Sequence, residues 1–301
     1  MTDTGWSETY RGMVKAWECD AFEHFTVAYY FERLVDAIFN LHDEVDAGPA
    51  HHFEDRRALA TVAAVSRFEA ELLEGDIHHV ESAFIGCDGD TVRSGHKLFE
   101  SASGRLCAAF TIAQRYMDLD ARKATTLSAT IREAIESRLV EWDRAPDEPR
   151  PPPRDEAGFI DSGRDTVKPW EIDLLGHMSV PFYLHRFSDA NMHVVARFGM
   201  TPAYLRENRV GFSTFEFQGR FRRELRTGDR ILIRSGLMHV GGSSMRILHR
   251  MYNVRTGDLA AEFSQYGVHL DLNARRPSRI PEEMRARAAE ILCESGKEPA
   301  A

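Results

Sequence analysis

The sequence predicts an α+β protein made of two tandem copies of one unit. Three observations point to this fold class: a repeat that runs along the whole chain, a proline-rich segment between the copies, and in each copy a long apolar helix followed by strands. The chain has 301 residues, of which 43% are hydrophobic and 28% are charged. This composition is typical of a soluble globular protein with room for two domains.

The repeat has an offset of 153 residues. Residues 14–37 align with residues 167–190 without a gap, and eleven of the twenty-four positions are identical. Chance would give about one or two identities in such a window. The same offset pairs further residues along the chain: Arg67 and Phe68 with Arg220 and Phe221, and Gly75 and Asp76 with Gly228 and Asp229. The chain is therefore interpreted as a tandem duplication.

Proline and charged residues dominate the segment DRAPDEPRPPPRDEA, residues 143–157. This composition predicts an extended, solvated linker. We therefore expect an N-terminal domain over residues 1–143, a linker over 144–158 and a C-terminal domain over 159–301.

Each copy has the same predicted order of elements. Thr26 and Ser179 are equivalent and are good helix N-caps, and the apolar segment after each one predicts a helix surrounded on several sides. Pro181 falls in the first helical turn, where its missing N–H costs nothing. In the second copy four strands follow, separated by glycine-containing turns: residues 210–225, 229–239, 243–253 and 259–270. A long buried helix followed by an antiparallel meander is an α+β pattern.

The loop before the helix carries the polar residues that are candidates for catalysis. The second copy reads Asp173-Leu-Leu-Gly-His177-Met178, with Tyr183 ten positions after the aspartate. This loop resembles the D-x-x-G-H-[MV] loop of the hotdog-fold thioesterases, in particular the 4-hydroxybenzoyl-CoA thioesterase-like and acyl-ACP thioesterase branches, and Tyr183 falls where that family has its tyrosine. The first copy keeps Asp20, His24 and Tyr30.

The resemblance covers nearly the whole chain outside the linker and the tails. In that family two hotdog domains pair side by side into one continuous sheet, with active sites at the seam. The resemblance therefore implies a tandem double hotdog that forms an intramolecular pseudo-dimer. It also implies an enzyme that hydrolyses the acyl thioester of coenzyme A or of an acyl carrier protein.

Thioester hydrolysis needs an activated water or a nucleophile, and donors for the oxyanion. On the resemblance, Asp173 would be the general base or nucleophile, and His177 would orient the carboxylate or the substrate. The amides near Gly176 precede a helix N-terminus and would polarise the carbonyl, while Met178 and Tyr183 would contact the substrate. An aspartate before a helix is also commonly a capping residue, and a loop histidine is often structural; only the resemblance favours the functional interpretation.

The two copies differ at the candidate site. Gly176, which permits close approach of the backbone, is Glu23 in the first copy. This difference favours Asp173 as the active carboxylate, with Asp20 and His24 as a degenerate or altered version of the site; the alternative, that Glu23 substitutes chemically and the first copy is also active, is left open.

Two further features of the second copy have open interpretations. Glu216 replaces the equivalent Ala63; it is either a second catalytic or water-holding carboxylate or a solvent-facing position on an alternating strand. Residues 220–226 form a basic cluster that contains Arg220 and Arg222. This cluster suits the phosphates of coenzyme A or an acidic carrier protein, or it is a charged outer face of the sheet. Trp17 and Trp170 are predicted to be packing anchors.

Other function classes have little support in the sequence. The net charge of −9 argues against a general nucleic-acid binder, and the longest apolar runs are shorter than the ~20 residues that span a bilayer. The histidine pairs lack ligand spacing, so no metal is expected, and dinucleotide, phosphate-loop and serine-hydrolase motifs are absent, so no cofactor is expected. The start of the chain does not resemble a secretory signal, and four separated cysteines are typical of buried thiols in a reducing cytoplasm.

We therefore expect a cofactor-free, cytoplasmic acyl-thioester hydrolase with no nucleic-acid or membrane partner; a further homo-oligomer of the double hotdog is left open. Two alternatives remain. A hotdog hydratase or dehydratase would resemble a D-x-N-P-x-H pattern, which neither copy has. A non-catalytic module that binds acyl thioesters is the alternative outside enzymes.

Overall fold

The structure is a computed structural model that describes residues 5–144, 149, 152 and 155–293. The chain divides into two compact units. The first comprises Met1–Pro149 together with Ile172–Pro181, and the second comprises Arg150–Glu171 together with Phe182–Ala301. Much of the predicted linker lies outside the described residues.

The first unit is a long helix with a five-stranded antiparallel sheet. Its strand order is β1-β3-β4-β5-β2, and the short β6 pairs with β5. The elements in chain order are β1 (Ser7–Met13), α1 (Val27–Asp43), α2 (Pro49–Glu54), β2 (Arg57–Phe68), β3 (Ile77–Asp88), β4 (Thr91–Glu100), β5 (Arg105–Asp118), β6 (Lys123–Ala124) and α3 (Ala129–Glu136).

The second unit repeats this plan. Its sheet has the order β7-β9-β10-β11-β8, and the short β12 pairs with β11. The elements in chain order are β7 (Ile160–Thr166), α4 (Val180–Val195), α5 (Pro202–Asn208), β8 (Val210–Phe221), β9 (Arg230–Val240), β10 (Ser244–Asn253), β11 (Leu259–Asp271), β12 (Arg276–Pro277) and α6 (Glu282–Glu290). The four strands predicted after α4 are confirmed, whereas β1 and β7 were not predicted.

The long helix in each unit begins where the sequence predicted. Thr26 is the N-cap of α1, in an extended conformation, but its hydroxyl makes no capping bond. Helix α4 begins at Val180, so Pro181 occupies its first turn. The inner face of α1 is apolar at helical spacing, and Phe31 packs edge-on against Phe110 of β5 at 5.5 Å between ring centroids. The helix is therefore stabilised by burial against the sheet.

Each sheet also buries a chain of hydrogen-bonded polar side chains. In the first unit Ser82 contacts His96 Nδ1 at 2.6 Å; in the second the equivalent Ser235 contacts His249 Nδ1 at 2.7 Å. Burial lowers the pKa of His96 to about 3 and the pKa of His249 to about 4. Both imidazoles are therefore neutral near pH 7, and both are fully buried.

Two predictions about buried residues need correction. Trp17 and Trp170 were expected to be packing anchors, but they are 75% and 74% exposed. Each lies in a 3-10 turn whose anchor is instead the following glutamate. All four cysteines are free, but only Cys107 and Cys293 are buried, while the other two are half-buried.

Candidate active site

The loop that carries Asp173 is a tight turn closed by its own backbone. The N–H of Asp173 donates to the carbonyl of His177 at 3.0 Å, and the N–H of Gly176 donates to the carbonyl of Asp173 at 3.0 Å. Ile172 and Met178 form an isolated antiparallel bridge at the two ends of the turn. Gly176 has a φ of +80°, in the left-handed region that glycine adopts readily. The backbone thus returns on itself just before helix α4.

The structure brings the predicted aspartate and histidine together. Asp173 Oδ1 accepts a hydrogen bond from the N–H of Leu175 at 2.9 Å, and Asp173 Oδ2 lies 3.5 Å from His177 Nδ1. Their side chains are 13% and 19% exposed. The carboxylate is therefore mostly shielded but reachable, and the imidazole lies where it can orient it.

The predicted oxyanion donor needs revision. The N–H of Gly176 already donates to the carbonyl of Asp173, so it is occupied within the turn. In the first repeat the N–H of the next residue, His24, donates to Asp20 Oδ1 at 3.2 Å. Among the predicted amides near Gly176, that of His177 is the next one toward helix α4, and it is the remaining candidate donor to a developing oxyanion.

The Asp173 loop packs on the strands of the first repeat. Leu175 is buried in a cluster with Ala58 of β2 and with Leu119, which follows β5. Arg122 Nη1 donates to the carbonyl of Leu175 at 2.6 Å. The loop therefore belongs to the second repeat in sequence but to the first compact unit in space.

A buried ion pair fixes the turn that precedes the loop. Arg186 of α4 donates to both carboxylate oxygens of Glu171, at 2.9 and 2.8 Å, and the N–H of Lys168 donates to Glu171 Oε2 at 2.9 Å. The first repeat keeps this arrangement with Arg33 and Glu18. Because Glu171 is two residues before Asp173, the pair sets where the loop begins.

The first-repeat loop has the same backbone but a different side-chain arrangement. Asp20 Oδ1 accepts the N–H groups of Phe22 at 2.8 Å and of His24 at 3.2 Å. His24 Nε2 lies 3.3 Å from Glu71 Oε1. Although Asp20 keeps an exposed surface, the atoms packed around its carboxyl group raise its pKa, mainly by desolvation. Glu23 has a φ of +66°, so this turn adopts the left-handed conformation without glycine.

Glu216 is buried, so the solvent-facing interpretation of this residue is wrong. The register between β8 and β11 shifts so that Tyr266 lies opposite Glu216 and Gly267 lies opposite Thr214. Phe215 is the extra residue of this β-bulge and is 41% exposed, whereas Glu216 is 7% exposed. A bulge reverses the inside–outside alternation that the sequence pattern assumed. Gln218 donates to the Glu216 carboxylate.

The other predicted substrate contacts are differently placed. Met178 and Tyr183 are both buried, and the Tyr183 ring packs edge-on against Phe221 at 5.0 Å between centroids. Arg220 is half-buried, while Arg222 is exposed and its guanidinium donates to Glu262. The charged-face interpretation therefore accounts for Arg222.

Neither a cluster of metal-ligating side chains nor a membrane-spanning helix occurs in the described part of the chain. No three histidine, cysteine, aspartate or glutamate side chains lie together there in an arrangement able to hold a metal ion. None of its helices is both long and apolar enough to span a membrane.

Comparison with known proteins identifies the family. The family model of the thioesterase-like superfamily matches residues 14–135 and again residues 167–288. Both ends of the second match lie at the offset of the internal repeat. The chain therefore belongs to the thioesterase-like superfamily, as a tandem of two family units, and no curated protein sequence matches it.

Solved structures show the same double architecture. A protein described as an oleoyl thioesterase from Lactobacillus plantarum is 12% identical, with a TM-score of 0.71 over 90% of this chain and 99% of its own. An acyl-ACP thioesterase from Bacteroides thetaiotaomicron is 13% identical, with a TM-score of 0.68 over 89% of this chain and 100% of its own. The 12:0-ACP thioesterase from Umbellularia californica is 12% identical, with a TM-score of 0.68 over 92% and 95%. At such identities the likeness shows the fold, and the predicted resemblance to hotdog thioesterases is confirmed.

Proposed function

We propose that the protein hydrolyses an acyl thioester to a carboxylic acid and a thiol, with Asp173 as the catalytic carboxylate. The observation that carries the proposal is the pairing of a shielded carboxylate with His177 at 3.5 Å in a turn that leads into helix α4. Membership of the thioesterase-like superfamily gives the reaction class, and the loop supplies a base and a candidate oxyanion donor in one short segment.

The proposed reaction begins with a water molecule bound to Asp173. Asp173 takes one proton as the water oxygen attacks the thioester carbonyl carbon. The N–H of His177 stabilises the negative charge on the carbonyl oxygen, helped by the positive end of α4. The carbon–sulfur bond then breaks, and the proton on Asp173 passes to the departing thiolate. In a variant of this route Asp173 attacks the carbonyl carbon itself, and the carbon–sulfur bond breaks to release the thiolate and leave an anhydride; water then opens the anhydride, which frees the acid, restores Asp173 and supplies the proton that the thiolate takes up.

Other predicted residues have supporting roles in the proposal. His177 holds the carboxylate in position through Nδ1. Glu216 is a candidate second carboxylate, because it is buried on a bulged strand and bulges are frequent near active sites. We assign no phosphate-binding role to Arg222, since its guanidinium is paired with Glu262.

We also propose that the two repeats form an intramolecular pseudo-dimer, with the Asp173 site completed by the first repeat. The support is the packing of Leu175 with Ala58 and Leu119 and the hydrogen bond from Arg122. On this view the Asp20 loop is an altered copy of the site. The thiol carrier is coenzyme A or an acyl carrier protein, and two of the similar structures are thioesterases of acyl-ACP.

The test is thiol release from a panel of short, branched, aromatic and long acyl-CoA and acyl-ACP substrates. We expect Asp173→Asn to lose at least about 100-fold in kcat, while Asp20→Asn, the matched substitution in the first repeat, keeps most of the turnover. Melting temperatures of both variants control for folding. Undiminished turnover by Asp173→Asn would remove Asp173 from the mechanism, and loss only in Asp20→Asn would reverse the assignment.

The same assay separates the alternative functions. Tight binding of acyl-CoA by the wild-type protein with no thiol released from any substrate would indicate a binding module. A product in which the thioester is intact but the acyl chain has gained or lost water would indicate a hydratase or dehydratase.

A further inference from the structure

Arg122 contacts the candidate site although it lies outside the loop motif. It sits in the turn between β5 and β6, with a φ of +52° that is uncommon for a residue with a side chain. Its Nη1 donates to the carbonyl of Leu175 at 2.6 Å, which is short even for a charge-assisted bond. The two residues are 53 positions apart in sequence.

The peptide unit between Leu175 and Gly176 is fixed at both ends. Its carbonyl accepts the hydrogen bond from Arg122, and its N–H donates to the carbonyl of Asp173 at 3.0 Å. A peptide plane held on both sides cannot rotate without breaking one of the two bonds. Its orientation governs the direction of the following amide, that of His177, and keeps the N–H of Leu175 on the Asp173 carboxylate.

Arg122 also accounts for the glycine in the loop. A Cβ added to Gly176 would lie 2.8 Å from Arg122 Nη2, closer than non-bonded atoms approach. The left-handed conformation alone does not require glycine, because Glu23 adopts a φ of +66° at the equivalent position. Glycine at position 176 is therefore explained by the guanidinium above it, and any larger residue would displace that guanidinium.

We infer that Arg122 is a positioning residue for the Asp173 site: the first repeat contributes it, and it holds the Leu175–Gly176 peptide so that the His177 amide and the Asp173 carboxylate face the substrate. The activity readout for this role rests on the proposed function. The structural readout, which is the mobility of the loop, does not.

The activity test compares Arg122→Ala and Arg122→Lys with Arg275→Ala. Arg275 is the equivalent residue of the second repeat and has nearly the same φ, +49°, so its substitution makes the same change in the same backbone conformation. We expect Arg122→Ala to lower kcat by about 10- to 100-fold, the effect of one hydrogen bond to a charged donor. KM should change much less, Arg122→Lys should recover part of the loss, and added guanidinium ion should restore part of kcat in Arg122→Ala. Arg275→Ala should match the wild type.

A structural test uses hydrogen exchange of the loop amides. The amide of Gly176 should exchange at least about tenfold faster in Arg122→Ala than in the wild type and Arg275→Ala, because the bond to Asp173 is no longer supported. Faster exchange with unchanged kcat, in a protein where Asp173→Asn also turns over normally, would point to failure of the proposed function alone. Unchanged exchange would overturn the positioning role regardless of activity.

A double-mutant cycle tests the explanation of the glycine. Gly176→Ala should lower kcat in the wild-type background by displacing the guanidinium and should cost much less in the Arg122→Ala background. Additive losses would show that Gly176 and Arg122 act independently and would contradict the inference.

Discussion

The buried ion pair between Glu171 and Arg186 gives the most discriminating prediction, because the first repeat contains a natural control for it. Replacing Glu171 with Gln removes the charge that Arg186 faces while keeping the size of the side chain. Both side chains are 8% exposed, so solvent cannot replace the lost partner. Arg186 would keep Asp165 Oδ2 at 2.8 Å and the carbonyl of Phe182 at 3.1 Å.

The size of the effect follows from these remaining contacts. Removing one partner of a buried pair generally costs about 3–5 kcal/mol, because the other charge is left uncompensated. Since Arg186 retains a half-exposed carboxylate and a carbonyl, we expect the lower end, about 3 kcal/mol. For units of this size that corresponds to a fall in melting temperature of about 6–12 °C. Arg186→Met should cost more, because among the described residues the buried Glu171 carboxylate would then keep the N–H of Lys168 alone.

The control is Glu18→Gln, which breaks the equivalent pair with Arg33 in the first repeat. Both glutamate variants should lose similar stability in calorimetry. Well below the melting temperature, only Glu171→Gln should lower kcat for thioester hydrolysis, because only that pair fixes the turn before Asp173. Equal losses of kcat would refute this assignment of roles. An unchanged melting temperature in both variants would refute the energetic reasoning itself.

Three further predictions follow from the structure. Burial holds the pKa of His96 at about 3 and of His249 at about 4, against 6.5 in the unfolded chain. Each neutral histidine therefore contributes its full stability above pH 6.5, and the free energy of unfolding should fall by about 1.4 kcal/mol per pH unit and per histidine as the pH drops toward 4. In His249→Gln the urea midpoint should fall less steeply with pH, and an equal slope would contradict the burial argument. Single turnover in ¹⁸O-water should place ¹⁸O in the acid product and none in Asp173 if Asp173 acts as base; if Asp173 acts as nucleophile and water opens the anhydride at the aspartyl carbon, the acid should carry an enzyme oxygen and ¹⁸O should appear in Asp173. Gly219→Ala should destabilise the protein by about 1–3 kcal/mol, because its Cβ would overlap the ring of Phe263; an unchanged urea midpoint would contradict this packing argument.

The repeat and the local patterns were enough to predict most of the fold. A single offset aligned the two copies, and the breaks at glycine-containing turns located the strands after α4 because turn chemistry is local. Strand β1 escaped prediction because it is a short edge strand on which only Thr9 is buried, so its sequence lacks the apolar alternation that marks a strand. Its equivalent β7 likewise buries only Ser162.

The candidate site was only partly predictable. Asp173 and His177 are four residues apart in one turn, so a local motif could indicate that they meet. Arg122 could not be found in this way, because its contact with Leu175 depends on how distant segments of the chain pack. No local spacing of residues in the sequence indicates such a contact. The burial of Glu216 was missed for a different reason: one extra residue at Phe215 shifts the alternation, and nothing in the letters STFEFQ marks a bulge.

The comparison of the two repeats separates structural residues from candidate functional ones. The ion pairs of Glu18 and Glu171 are kept in both copies, so they belong to the scaffold that any copy needs to fold. The copies diverge at Gly176 and Glu216, which are Glu23 and Ala63 in the first repeat. In the second repeat the position of Gly176 lies against the guanidinium of Arg122, and Glu216 is a buried carboxylate on a bulged strand, so these two differences are the ones that the proposed site depends on.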